Sequence, residues 1–85
     1  MGGTRRLPPV ADEDWVSQHA AAKRLGIPVF AVGWGVANEH LEPVRNSRGD
    51  EGVTVGSLER ELAWRAGASR AARLRRFARD LLDYF

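Results

Sequence analysis

The chain has 85 residues, no cysteine, and a net charge of +2 that sets twelve arginines and one lysine against eleven acidic residues. This length allows one small domain and is too short for a dinucleotide-binding unit joined to a substrate domain. The lack of cysteine excludes disulfide scaffolds, thiolate zinc sites and thiol nucleophiles. A hydrophobic fraction of 44% with 28% charged residues is typical of a folded domain.

The first predicted elements are a leader and a short helix. Residues 1–13 are predicted to form a flexible leader, because Pro8-Pro9 and two glycines oppose regular structure, and order is expected to begin near residue 14. Ser17 is a suitable N-cap for a helix over residues 18–25, which Gly26 ends.

A second helix is predicted over residues 29–39, after Ile27-Pro28. Val32 and Val36 are spaced i, i+4 and mark its buried row, while Phe30 and Trp34 form a neighbouring row. Two glycines within this stretch lower its helix propensity by about 1 kcal/mol each relative to alanine.

The remaining chain predicts a β-hairpin and two more helices. Residues 41–45 and 53–55 favour short strands, because the segment between them is dense in turn-forming residues. Ser57 is expected to cap a helix over 58–66, and Ser69 a helix that continues to the C-terminus. The fold class predicted is mainly α with a small β-hairpin.

The order helix, glycine turn, helix, hairpin is that of a winged helix-turn-helix. The run Ala21-Ala22-Lys23-Arg24-Leu25-Gly26-Ile27-Pro28, followed by Val32, Val36, Leu41, Pro43, Val44 and Arg45, resembles the DNA-binding domains of the MerR and phage excisionase type. The resemblance covers about residues 15–66. It implies that the second helix lies in the major groove of double-stranded DNA and that the hairpin, or wing, contacts the backbone or minor groove.

The resemblance assigns candidate DNA-binding residues by position. The groove-facing candidates are Pro28, Val29, Phe30, Gly33, Trp34 and, near the helix end, Asn38. The wing candidates are Arg45, Asn46, Ser47 and Arg48, and the basic residues Lys23 and Arg24 are expected to contact phosphates.

The second helix departs from the family pattern, because relatives place polar or basic residues where this chain has mostly apolar ones. None of its outward residues before Asn38 can make a bidentate contact to a base edge. Three interpretations remain open for Phe30 and Trp34: contact with thymine methyls or insertion at a base step, a protein interface, or packing in the core.

The C-terminal segment, residues 69–85, is predicted to be a basic amphipathic helix. No acidic residue lies between Arg65 and Arg79, and the aspartates of this helix follow its arginines. This order is unfavourable for the helix dipole, but it favours binding of an anion at the N-terminal half. Arg70, Arg73 and Arg76 are therefore candidate phosphate contacts, with a solvated basic face as the alternative. Its apolar stripe, which includes Leu74 and Leu81, is expected to cover the domain's own core or to pair with another copy in a homodimer.

The sequence thus predicts a leader over 1–13, a winged helix-turn-helix over 14–68 and a basic helix over 69–85. The expected function is sequence-specific or architectural binding of double-stranded DNA in transcription regulation or recombination, by a cytoplasmic phage or bacterial protein. The alternative is a protein-interaction module that uses Phe30 and Trp34. No catalytic constellation, metal site, cofactor or membrane partner is expected.

Overall fold

The computed structural model describes residues 9–84, except for the side chain of residue 84. Within this part of the chain four helices accompany a three-stranded antiparallel sheet, so the fold is helix-rich, as the sequence predicts. A 3-10 turn at Asp12–Asp14 precedes the regular elements, which are β1 (Trp15–Ser17), α1 (Gln18–Leu25), α2 (Val29–Ala37), β2 (Pro43–Arg45), β3 (Glu51–Thr54), α3 (Val55–Gly67) and α4 (Arg70–Tyr84).

The sheet contains one strand that the sequence does not predict. Its order is β1-β3-β2, and β3 is central, with Val53 opposite Val16 on one side and Gly52 opposite Val44 on the other. Three-residue β1 lies immediately before α1 and is too short to show an alternating pattern. The hairpin prediction is otherwise confirmed, although its strands occupy 43–45 and 51–54 rather than 41–45 and 53–55.

The ends of α1 are those that the sequence predicts. The Oγ of Ser17 accepts a hydrogen bond from the Ala20 N–H at 3.0 Å and caps the first turn. Gly26 has a φ of 69°, a left-handed conformation that favours glycine, and its N–H returns to the Lys23 carbonyl at 3.2 Å.

Two later helix boundaries differ from the prediction. Helix α2 ends at Ala37 rather than at residue 39, because Glu39 has a φ of 64° and cannot continue a right-handed helix. Helix α3 begins at Val55, with Thr54 as its N-cap, so Ser57 is wrongly predicted as the cap. Ser57 is instead buried in the first turn, where its Oγ accepts from the Glu42 N–H at 3.1 Å.

The core lies where α1, α2 and α3 meet the sheet. Its buried members are small or branched side chains, and the partly buried ones extend the same cluster. Ala21 and Val32 have no exposed surface and belong to one buried cluster, which joins α1 to α2. Leu58, also fully buried, holds α3 on the same cluster. This packing fixes the two helices that the proposed DNA contact would use.

The segment before β1 is attached to the hairpin. The Val10 N–H donates to the Arg45 carbonyl at 2.9 Å, and the Asp12 carboxylate accepts from the Ser47 hydroxyl at 3.0 Å. Contacts therefore begin before residue 14, where the sequence predicts that order starts. The rest of the predicted leader, residues 1–8, lies outside the described residues.

Candidate nucleic-acid interface

Helix α2 presents an apolar face to solvent. Val29, Phe30 and Gly33 are exposed, with Phe30 at 76%, and a side chain added at Gly33 would meet open space. Pro28 occupies the N-cap position without a side-chain cap, and the Ala31 N–H donates to the Pro28 carbonyl at 3.0 Å. The N–H groups of Val29 and Phe30 therefore remain open to an anion. The face offers apolar contact and backbone donors, and these three residues carry no polar side chain.

Trp34 and Asn38, both candidates for the groove, are partly buried, and their side chains contact the fold. The Trp34 ring packs against Phe77 of α4, with centroids 5.6 Å apart and planes inclined at 49°. The Asn38 side-chain Nδ2 donates to the Trp34 carbonyl at 3.1 Å and closes the C-terminal end of α2. Of the three interpretations for the aromatic row, packing within the fold describes Trp34, whereas Phe30 remains a surface residue.

The wing candidates divide into structural and exposed residues. Asn46 is 7% exposed, and its Oδ1 accepts from the N–H groups of Arg48 and Asp50, both at 2.9 Å. Its amide therefore builds the turn and has little surface to offer a ligand. Ser47 is bonded to Asp12, Arg45 is half-buried, and the Arg48 side chain is exposed at the tip.

Helix α4 packs on the domain through Arg76, a residue that the sequence predicts to be exposed. The Arg76 side chain is 12% exposed, and its Nη2 donates to Glu61 Oε1 of α3 at 2.5 Å. Its guanidinium also lies 3.9 Å from the centroid of the Trp64 ring. Arg76 is thus a clamp between two helices, which corrects its assignment as a phosphate contact.

A second polar contact fixes the same edge of α4. The Nε2 of His40 lies 2.9 Å from Asp80 Oδ2 and 3.1 Å from the Nε of Arg76. Arg65 completes the cluster, because its Nε donates to the second oxygen of Glu61 at 2.9 Å. Sequence reasoning missed this cluster; the one signal was Glu61, an acid in line with the apolar positions of α3.

An open cleft of about 360 Å³ lies between α2, α3 and α4. Its apolar wall includes Phe30, Trp34, Trp64 and Phe77, and Arg73 also lines it. Arg73 donates through Nη2 to the carbonyl of Arg65 near the end of α3.

Exposed cations are spread over the wing tip and three helices. Lys23 and Arg24 lie in the last turn of α1, just before the turn that leads into α2, and both are exposed. The full set of exposed basic residues in the described range is Lys23, Arg24, Arg48, Arg60, Arg70, Arg73, Arg75 and Arg79. Half of these cations lie on α4, so the accessible positive charge is most concentrated on that helix.

Comparison with protein-family models, curated proteins and solved structures gives no match for this chain. Within residues 9–84 no helix is both long and apolar enough to cross a membrane. The class that the structure defines is therefore a small helix-rich domain with a three-stranded antiparallel sheet.

Proposed function

We propose that this chain binds double-stranded DNA through a winged helix-turn-helix, as a small regulator similar to excisionases or MerR-type proteins. The observation that carries the proposal is the order of elements: α1, the left-handed turn at Gly26, and α2 are followed directly by the β2–β3 hairpin. This is the order that the resemblance implies, with α2 as the groove helix and the hairpin as the wing.

The start of α2 supports a phosphate contact. Its uncapped amide N–H groups and the positive end of its dipole favour an anion, and the exposed side chains of Lys23 and Arg24 lie close by along the chain. Arg48 at the wing tip supplies a further exposed cation. These groups fix a protein on a duplex without reading its sequence.

The exposed side chains of α2 indicate how well such a contact can discriminate between DNA sequences. Val29, Phe30 and Gly33 cannot form hydrogen bonds to bases through their side chains. Discrimination between sites is then expected to come from thymine methyl contact by Phe30 and from DNA shape. An architectural role, with modest preference among sequences, fits this face better than stringent base readout.

The test is fluorescence anisotropy with labelled duplexes over a range of salt concentrations. Arg24→Gln is compared with Arg60→Gln, because both remove one exposed arginine from a helix and change the net charge equally. We expect Arg24→Gln to lower the magnitude of the log–log salt slope by about 0.9, the value of one phosphate contact. Arg60→Gln should leave the slope unchanged.

Two results would overturn the proposal. One is the absence of binding to any duplex at low salt by a protein whose circular dichroism shows a folded state. The other is an equal change of slope in both variants, which would mean that the charge acts without a defined contact.

A protein-interaction function is the second candidate, and the exposure of Phe30 favours it. At 76%, Phe30 is among the most exposed large apolar side chains of the described residues, and it lines the cleft. Phe30→Arg discriminates between the two functions without altering the Trp34 side chain. Loss of a captured partner with unchanged DNA affinity would favour the interaction module.

A further inference from the structure

The exposed aromatic side chains of the described residues are gathered around one cleft. They are Phe30 of α2, Trp64 of α3 and Phe77 of α4, and all three line the cleft between these helices. Trp34 also lines it and packs against Phe77, with ring centroids 5.6 Å apart, so the α2 and α4 walls are in contact there. Aromatic surface that is concentrated at one concave place is typical of a binding site.

Arg73 adds an unbalanced positive charge to this apolar cleft. It precedes Phe77 by four residues and therefore shares its face of α4. Its Nη2 donates to the carbonyl of Arg65, which is a neutral acceptor, and no carboxylate within residues 9–84 is paired with it. The other N–H groups of the Arg73 guanidinium are available to a ligand.

The remaining charged side chains of the cleft are paired with one another. Glu61 accepts from Arg65 at 2.9 Å and from Arg76 at 2.5 Å. Asp80 lies 2.9 Å from the Nε2 of His40. The lining thus holds three guanidinium groups and two carboxylates, which leaves one positive charge in excess when the histidine is neutral. This balance favours an anionic ligand over a cationic one, although aromatic rings alone would accept either.

We propose that the cleft binds a small aromatic carboxylate, with its ring among the aromatic side chains and its carboxylate on Arg73. The volume of about 360 Å³ is at the lower end of the roughly 300–1,000 Å³ of small-molecule sites, so one ring or two fused rings fit better than a larger ligand. The planar guanidinium matches the two oxygens of a carboxylate. The site does not depend on the proposed binding of DNA.

The test uses two probes that have nearly the same shape and differ in charge, β-naphthoate and β-naphthamide. Each is titrated into the isotope-labelled full chain without DNA, and the amide chemical shifts give its dissociation constant. For an acid of about 13 non-hydrogen atoms in an open cleft we expect a Kd of roughly 0.2–1 mM. Because the ion pair with Arg73 is exposed, the acid is expected to bind only about threefold more tightly than the amide.

Arg73→Gln and Arg75→Gln form the matched pair for the charge. Both remove one exposed arginine of α4, but the side chain of Arg75 does not line the cleft. Arg73→Gln should abolish the preference for the acid and leave the Kd of the amide within twofold, whereas Arg75→Gln should keep the preference. An equal loss of preference in both variants would overturn the role of Arg73. Equal binding of the two probes by the unaltered chain would overturn the carboxylate specificity.

Phe30→Ala and Leu82→Ala form the matched pair for the aromatic wall. The two side chains are equally exposed, and Leu82 of α4 does not line the cleft. Phe30→Ala is expected to raise the Kd of both probes at least threefold, and Leu82→Ala to leave both within twofold. The site itself would be overturned by shifts that map outside the cleft, or by a folded chain that shows no saturable shift with either probe up to about 5 mM. Such a failure would leave the proposed DNA binding untouched, since that proposal is tested by its own salt dependence.

Discussion

The Arg76 side chain of α4 is paired with the buried carboxylate of Glu61 on α3, with 2.5 Å between Nη2 and Oε1. Glu61 is 7% exposed and also accepts from Arg65, so its two oxygens are both satisfied by cations. Such a pair contributes chiefly by compensating a charge that would otherwise be buried alone. The clamp also explains how a helix rich in arginine stays on the domain although Leu74 and Leu82 are exposed.

Arg76→Ala is expected to destabilise the fold. The change removes one partner of a buried acid and the cation over the Trp64 ring, and we expect a loss of about 2 kcal/mol in the free energy of unfolding. Arg75→Ala is the matched control, because Arg75 is the exposed neighbour on the same helix. Urea denaturation should show less than about 0.5 kcal/mol for the control. Equal losses would contradict the clamp.

Gly52 has no room for a side chain. A Cβ at this position would overlap the Val16 carbonyl oxygen and lie 2.5 Å from the Nε1 of Trp15. We expect Gly52→Ala to separate β1 from β3 and to lower the free energy of unfolding by about 3 kcal/mol.

The control for this prediction is another glycine with the opposite expectation. Gly33 lies in α2, and a Cβ at this position would meet open space. Gly33→Ala should therefore raise stability by about 0.5–1 kcal/mol through helix propensity. Thermal melts of both variants check the pair. A stable Gly52→Ala protein with its native strand signals would mean that the sheet tolerates the methyl group.

Asn46 is expected to act on stability and not on a ligand. Asn46→Ala removes the acceptor for the N–H groups of Arg48 and Asp50, and we expect a loss of about 2 kcal/mol. Asn46→Asp keeps an acceptor oxygen and should retain most of the stability. Chemical denaturation measures both variants. An unchanged free energy of unfolding for Asn46→Ala would contradict the structural role and leave Asn46 as a candidate for ligand contact.

The two aromatic residues of α2 should respond differently to truncation. Trp34→Ala removes the contact with Phe77 and is expected to cost about 2–3 kcal/mol, because the ring is partly buried. Phe30→Ala should change the free energy of unfolding by less than about 0.5 kcal/mol. The comparison in one denaturation series checks which aromatic belongs to the fold; a large loss at Phe30 would contradict its assignment to the surface.

Local signals in the sequence predict most of the helices correctly. Ser17 and Gly26 are local signals for the two ends of α1. In the structure Ser17 caps the first turn and the left-handed Gly26 ends the helix, as predicted. Ser57 shows the limit of such signals, since a serine and a threonine three residues apart can both cap a helix. Here Thr54 caps α3 because it is the last residue of β3, directly before the helix. The position of this strand end depends on its tertiary pairing with β1.

The placement of α4 could not be predicted from its amphipathic pattern. Periodicity indicates that the leucines of a helix share a face, but it does not indicate which face meets the domain. The choice depends on Glu61, Trp64 and His40, whose positions relative to Arg76 are set by folding over a separation of up to 36 residues. For the same reason, Trp34 is correctly assigned to α2 by sequence but its packing against Phe77 requires the structure.

The three tryptophans of this chain lie at three different junctions. The Trp15 Nε1 donates to the Asp50 carbonyl at 3.1 Å and reports on the sheet, whereas Trp34 and Trp64 both contact α4 through Phe77 and Arg76. Intrinsic fluorescence can therefore follow the detachment of α4 separately from the melting of the sheet, in variants that keep only one indole. The protein carries its own optical probes for deciding whether it unfolds in one step or in two.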